Sequence, residues 1–193
     1  MKLRESGMPD EGYWESLMNI ELILDRLEVD KRIGNAVELG CGYGTFTLPV
    51  AGRISGTLRT YDIDPDMVSR TRERAERSGV RNLIVEARDV FTYGFGVQDH
   101  SQDACLLFNI LHCEHPLRLL REASRTLKPG GYLFALHWRP DPSTPRGPAM
   151  DIRPSPYQII EWVNSMDAFE TNVSVIDLPP WHYGLRFPHN ASE

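Results

Sequence analysis

Val37-Glu38-Leu39-Gly40-Cys41-Gly42-Tyr43-Gly44-Thr45 sets apolar residues on either side of an acid, then places glycine at every second position. A helical pattern follows at once. The run predicts a buried strand that ends in a tight glycine turn and feeds a helix. Such a turn lets a ligand lie against bare backbone, where no side chain intervenes.

Outward from that turn the pattern repeats. Ala36 to Leu39, Leu58 to Asp62, Leu83 to Ala87, Asp103 to Ile110 and Tyr132 to Trp138 read as strands. Helices are expected over Thr45 to Arg53, from Asp64-Pro65-Asp66 to Gly79, and over Pro116 to Leu127. Glu11 to Leu27 carries Trp14, Leu17, Met18, Ile20, Ile23, Leu24 and Leu27 at helical spacing, with Asp10 as its cap. Val90 to Gln102 reads as a loop and Lys128-Pro129-Gly130-Gly131 as a turn. Five prolines between Arg139 and Pro154 mark a long loop, and Ser155-Pro156 opens a helix to about Asp167. Asn172 to Leu178 and Tyr183 to Phe187 form a closing antiparallel hairpin around Pro179-Pro180-Trp181. This order predicts one α/β domain over residues 1–193, built on a doubly wound, Rossmann-like seven-stranded sheet. The sheet is mostly parallel, with one antiparallel strand near the edge and helices on both faces. Residues 1–30 supply an N-terminal arm and helix, 35–138 the core, and 139–193 the loop, helix and hairpin.

Composition narrows the function. The net charge of −6 disfavours a nucleic-acid backbone as partner. The arginines from Arg70 to Arg81 alternate with Glu73 and Glu76, as on a solvated helix face. Cys41, Cys105 and Cys113 fit no disulfide framework and are expected as reduced thiols in the cytoplasm. No apolar run is long enough for a membrane span, and residues 1–11 do not read as a signal peptide.

The glycine turn, Asp62, Asp89 and Asn109 all follow strands at the carboxyl rim, where open α/β sheets bind ligands. Asp62 lies 22 residues after Gly40, where an acid accepts hydrogen bonds from ribose hydroxyls. The dinucleotide fingerprint G-x-G-x-x-G/A fits poorly. Gly40 and Gly42 are followed by Thr45, and the third glycine falls one place early at Gly44. Glu38 beneath the turn would repel a pyrophosphate and attract an ammonium. An adenosine carrying an amino-acid tail fits better than NAD.

Val37 to Thr45 resembles motif I of the class I S-adenosylmethionine-dependent methyltransferases, in the manner of the small-molecule, type 11 group. Tyr61-Asp62-Ile63-Asp64-Pro65, Arg88-Asp89-Val90, Asp103 to His112 and Leu127-Lys128-Pro129-Gly130-Gly131 resemble that family's later motifs, in order. The resemblance runs from about residue 35 to 138. It implies S-adenosylmethionine as cofactor and S-adenosylhomocysteine as product. It implies that Gly40, Gly42 and Gly44 flank the methionine part, with Glu38 near the ammonium and Asn109 near the methyl. Asp62 holds the ribose, Ile63 packs on the adenine, and Asp89 with the Val90 backbone meets the adenine amino group.

Transfer to an acceptor needs alignment, exclusion of water and a group to take a proton. The neutral histidines near the rim, His112 first and His137 second, are candidates; Glu114, His115 and His182 lie nearby. Tyr13, Trp14, Tyr43 and Trp138 could close over a small-molecule acceptor. His112-Cys113-Glu114-His115 has a metal-like look, but zinc wants three or four protein ligands and no second pair stands out, so no metal is expected. Asn109-Ile110-Leu111-His112 stands where N-P-P-Y enzymes keep the motif used on planar amino groups. Two other classes compete: a cofactor-binding regulatory or partner protein without turnover, and an oxidoreductase on the same sheet. Methylation of a protein side chain remains open within the first class.

Overall fold

The computed structural model describes residues 9–190. The arm expected over residues 1–10 therefore lies, apart from Pro9 and Asp10, outside the described residues. Seven strands form one sheet: β1 Ala36–Leu39, β2 Leu58–Asp62, β3 Leu83–Ala87, β4 Gln102–Phe108, β5 Leu127–Trp138, β6 Ile176–Leu178 and β7 His182–Pro188. Their order is β3-β2-β1-β4-β5-β7-β6. β1 to β5 pair in parallel, and β7 runs antiparallel to both β5 and β6. The single antiparallel strand is second from the edge, as the hairpin pattern requires.

Seven helices accompany the sheet among the described residues: α1 Glu11–Ser16, α2 Ile20–Arg26, α3 Thr47–Arg53, α4 Pro65–Arg77, α5 Val90–Tyr93, α6 Pro116–Thr126 and α7 Pro156–Asn164. Both sheet faces are apolar, so each is covered. On one face Val37, Leu39, Cys105, Leu107, Leu133 and Ala135 pack with Leu120 and Ala123 of α6 and with Ile159 and Val163 of α7. On the other, Ala36, Leu58, Ala104, Leu106, Phe134 and Leu136 meet Ile23 and Leu24 of α2 and Val50 and Ala51 of α3. Burial of each valine, leucine, isoleucine and phenylalanine among them contributes about 1.5–3 kcal/mol.

Several local expectations change. The helix read over residues 11–27 is two helices. The Asn19 side chain accepts from Leu22 N–H and starts α2 afresh, because a short amide competes with the helical backbone for its own donors. The loop read over residues 90–102 opens with α5, whose first turn is capped when Thr92 N–H donates to Asp89 Oδ1. The Lys128–Gly131 turn is a register shift inside β5, not a break. Gly130 takes φ +76°, and its N–H donates to the His189 carbonyl. The strand read over residues 172–178 shortens to Ile176–Leu178.

α1 buries no residue of its own. It is held across α4 by Arg74, which reaches Glu15 at 2.6 Å, Glu11 at 3.1 Å and the Tyr43 carbonyl at 3.3 Å. The Tyr43 hydroxyl donates to the Pro9 carbonyl at 2.8 Å. Trp14 adds one edge-on contact to Trp138, with ring centroids 6.1 Å apart. Partly exposed ion pairs contribute about 1 kcal/mol at most. Arg74→Ala is expected to speed amide exchange across residues 10–16 while lowering global stability by less than about 1 kcal/mol. Hydrogen exchange read by mass spectrometry checks this, and unchanged protection of α1 would refute it.

Candidate functional site

The glycine turn leaves β1 beside β4, where the strand order reverses direction. That switch point opens a crevice at the carboxyl ends of a parallel sheet. Two glycines are required there by geometry. Gly40 has φ +88°, and Gly44 has φ +79° with a Cβ placed only 2.8 Å from Leu48 Cδ1. The turn is pinned from three sides. Gly40 N–H donates to the Tyr61 carbonyl at 2.7 Å. Gly42 N–H donates to Asp62 Oδ2 at 3.0 Å, and the Thr71 hydroxyl donates to the Gly42 carbonyl at 2.9 Å.

Asp62 also accepts from Asp64 N–H through Oδ1 at 3.0 Å. Burial raises its pKa against the pull of those backbone donors. Each oxygen keeps a further lone pair. Ile63 beside it is 40% exposed, an apolar side chain held open at the rim. Asp89 accepts from the Thr92 hydroxyl at 2.6 Å, and that bond holds its carboxyl below the ordinary range. Val90 is buried at the start of α5.

Glu38 is 1% exposed. Its Oε2 accepts from the hydroxyls of Thr47 at 2.6 Å and Thr60 at 2.7 Å. Burial pushes its pKa from 4.5 to about 7 against those two bonds. Asn109 follows β4 with φ +55°, in the left-handed region that a non-glycine residue adopts sparingly. Both of its side-chain polar atoms are buried with no partner. Leaving a buried polar group unpaired costs about 1–3 kcal/mol, so both Asn109 atoms are available to a hydrogen-bonding partner.

His112 and His137 come together, with His112 Nδ1 3.3 Å from His137 Nε2. His112 is partly buried, and His137 is fully buried behind it. His182, on β7 opposite Trp138, is buried, and neither ring nitrogen has a partner. Tyr13 is 45% exposed, and Trp14 packs partly on the core. Tyr43 is buried under the Arg70 guanidinium. Trp138 is not a lid residue. It is 2% exposed within the core and lies against His182 with centroids 4.1 Å apart, because the large indole of a central strand is taken up by packing. Among the described residues no group of three His, Cys, Asp or Glu side chains could hold a metal ion. Among them too, no helix is long and apolar enough to cross a membrane.

Sequence reading missed the threonines. Thr60 pairs with Glu38 in the β1–β2 register, and a threonine in line with a buried acid is the signal that aligning the two strands would have supplied. Arg153, whose guanidinium donates to the Arg139 and Pro148 carbonyls and the Thr144 hydroxyl, organises the proline-rich loop and was also missed. No local pattern announces it.

Residues 36–131 match the family model described as "Methyltransferase domain". The chain is 35% identical over 102 residues to the ubiquinone/menaquinone biosynthesis C-methyltransferase UbiE of Bartonella henselae, a match covering 51% of this chain and 38% of that one. It spans less than two fifths of the length of the curated relatives it matches. Among solved structures, a SAM-dependent methyltransferase from Aquifex aeolicus superposes with a TM-score of 0.79 at 19% identity, covering 93% of this chain and 94% of that one. The N-methyltransferase NodS from Bradyrhizobium japonicum WM9, in complex with S-adenosylhomocysteine, gives 0.63 at 18% identity over 94% and 88%. At these identities the two structures share the fold.

The Glu38 carboxyl makes stability depend on pH. Its folded pKa lies above its unfolded one, so its contribution is complete below pH 4.5 and is lost as pH rises through about 7. That span corresponds to about 3 kcal/mol. Glu38→Gln removes the ionisation. Relative to the variant, the native chain is expected to lose stability between pH 4.5 and 8, as read by denaturant unfolding. A difference that stays constant over that range would refute the assignment.

Proposed function

With residues 36–131 belonging to the S-adenosylmethionine-dependent methyltransferase family, we propose that this chain transfers a methyl group from S-adenosylmethionine to a small-molecule acceptor. The carrying observation is the buried, unpartnered amide of Asn109, which follows β4 at the same strand-end rim from which the glycine turn leaves β1. The residues present fit the cofactor. Asp62 offers its remaining lone pairs to vicinal hydroxyls. Ile63 offers an apolar surface for a flat ring. Asp89, ionised at neutral pH, accepts from an amino group. Asn109 supplies one donor and one acceptor. Glu38, whose Oε2 is held by Thr47 and Thr60, acts from beneath the turn through the negative potential of its ionised form, which a bound ammonium favours. When bound, S-adenosylmethionine supplies a methyl made electrophilic by its sulfonium.

The chain's part is to orient, to exclude water and to take up a proton. His112 is the proton acceptor in this reading, held neutral by burial and by the charge of Arg153. Tyr13 and Trp14 on α1 cover the acceptor side. A wholly regulatory role shares the binding residues, but the paired histidines beside Asn109 favour turnover.

Calorimetric titration with S-adenosylmethionine, S-adenosylhomocysteine and NAD tests the reading. Micromolar binding of the first two is expected, with at least a tenfold loss, about 1.4 kcal/mol, in Asp62→Ala. Melting of the variant checks that it folds. Binding of NAD alone, or an Asp62 variant of native affinity, would sink the proposal.

A further inference from the structure

Two contacts at the end of β5 bear on where two histidines carry their protons. His137 Nδ1 lies 3.4 Å from the Trp138 carbonyl oxygen. A carbonyl only accepts, so Nδ1 carries the hydrogen in that contact. Burial holds the His137 pKa well below 6.5, so the ring is neutral and has a single N–H. That hydrogen is used at Nδ1, and Nε2 is left as an acceptor. His112 Nδ1 faces it at 3.3 Å. Two lone pairs cannot make this bond, so His112 Nδ1–H donates. Burial, with Arg153 second, lowers the His112 pKa too, so its one hydrogen is likewise committed. The Nε2 of His112 therefore carries a lone pair and no hydrogen.

We propose that His137 is a positioning residue that fixes His112 as the Nδ1–H tautomer and leaves its Nε2 to receive a proton from a protic acceptor, a hydroxyl, a thiol or an acidic C–H. This rests on the reading of the site as a methyl-transfer site. The X–H bond of the acceptor breaks, its proton goes to Nε2, and its electron pair forms the new X–C bond. The C–S pair stays on sulfur, so one positive charge passes from sulfur to the imidazole. A tertiary amine or a thioether has no proton to give and makes no use of this arrangement. The neutral Nε2 of His137 accepts from the imidazolium so formed and stabilises it. Tyr183, opposite His137 with ring centroids 6.4 Å apart, does not compete, because its hydroxyl donates to the Pro154 carbonyl at 2.7 Å.

Nitrogen-15 imidazole spectroscopy of the full chain, saturated with S-adenosylhomocysteine, reads the tautomers directly. Both His112 and His137 are expected as Nδ1–H. In His137→Leu, His112 is expected to lose that form for the Nε2–H form preferred by free imidazole side chains. In His137→Gln, whose amide oxygen can accept from His112, the Nδ1–H form is expected to return. Native His112 protonated at Nε2, or a His112 unmoved by His137→Leu, would overturn the proposal, and the native spectrum decides even if the leucine variant fails to fold. Failure of S-adenosylhomocysteine to bind, read by calorimetry on the same sample, would instead overturn the methyl-transfer reading on which the acceptor class rests.

Discussion

One buried carboxyl group joins the three elements that make the crevice. Glu38 sits on β1, and its Oε2 receives hydroxyls from Thr60 of β2 and Thr47 of α3. The strand before the glycine turn, the helix after it and the neighbouring strand that ends in Asp62 are thus tied to one oxygen. Burial of an acid is costly, and two hydroxyl donors offset the cost only in part, which is why the group's pKa rises. An apolar residue at position 38 would pack without that cost, but it would leave both threonine hydroxyls unpaired and remove the negative potential beneath the turn. The site keeps a charge-capable group where the core would prefer none.

The elements that were legible in the sequence are those whose local chemistry agrees with their tertiary role. β1, β2 and β3 end where the pattern places them, and Asp64-Pro65 starts α4 with a cap and a proline at its first position. The rim residues were legible for the same reason: parallel strands deliver their carboxyl ends to one edge, and residues just past those ends meet there. The misreadings share a cause. At Asn19, Asp89 and Gly130, a single side chain or a single positive φ redirects the backbone, and periodicity averages such events away. Trp138, one of four aromatics that could close over an acceptor, is instead taken into the core. Its burial depends on β7 and α1, which arrive from distant parts of the chain.

The pairing of His112 with His137 lies between these cases. The two types and their positions after β4 and at the end of β5 were visible. That β4 and β5 are neighbours, so that the rings meet, follows from the strand order alone. The direction of the hydrogen bond needs the Trp138 carbonyl, a backbone atom that no side-chain pattern encodes. The proposed proton arrangement depends on a main-chain acceptor fixed by its place at the end of a central strand, which lends it the rigidity of the sheet.

The sheet and its turn are held by strand pairing and two apolar layers, whereas α1 and the loop over residues 139–154 are held in a different way. α1 is held through arginine and tyrosine contacts with no buried residue of its own. The loop is gathered around the Arg153 guanidinium by carbonyl oxygens, and Thr144 is its side-chain partner. α1 adds to the apolar layers mainly through Trp14, which meets Trp138, so both segments are held more by polar contacts than by burial. In the proposed reading, the cofactor is met by strand ends that cannot shift independently, and the acceptor by segments that can. A fold of this kind fixes the chemistry it offers at its strand ends and leaves its choice of substrate to such segments.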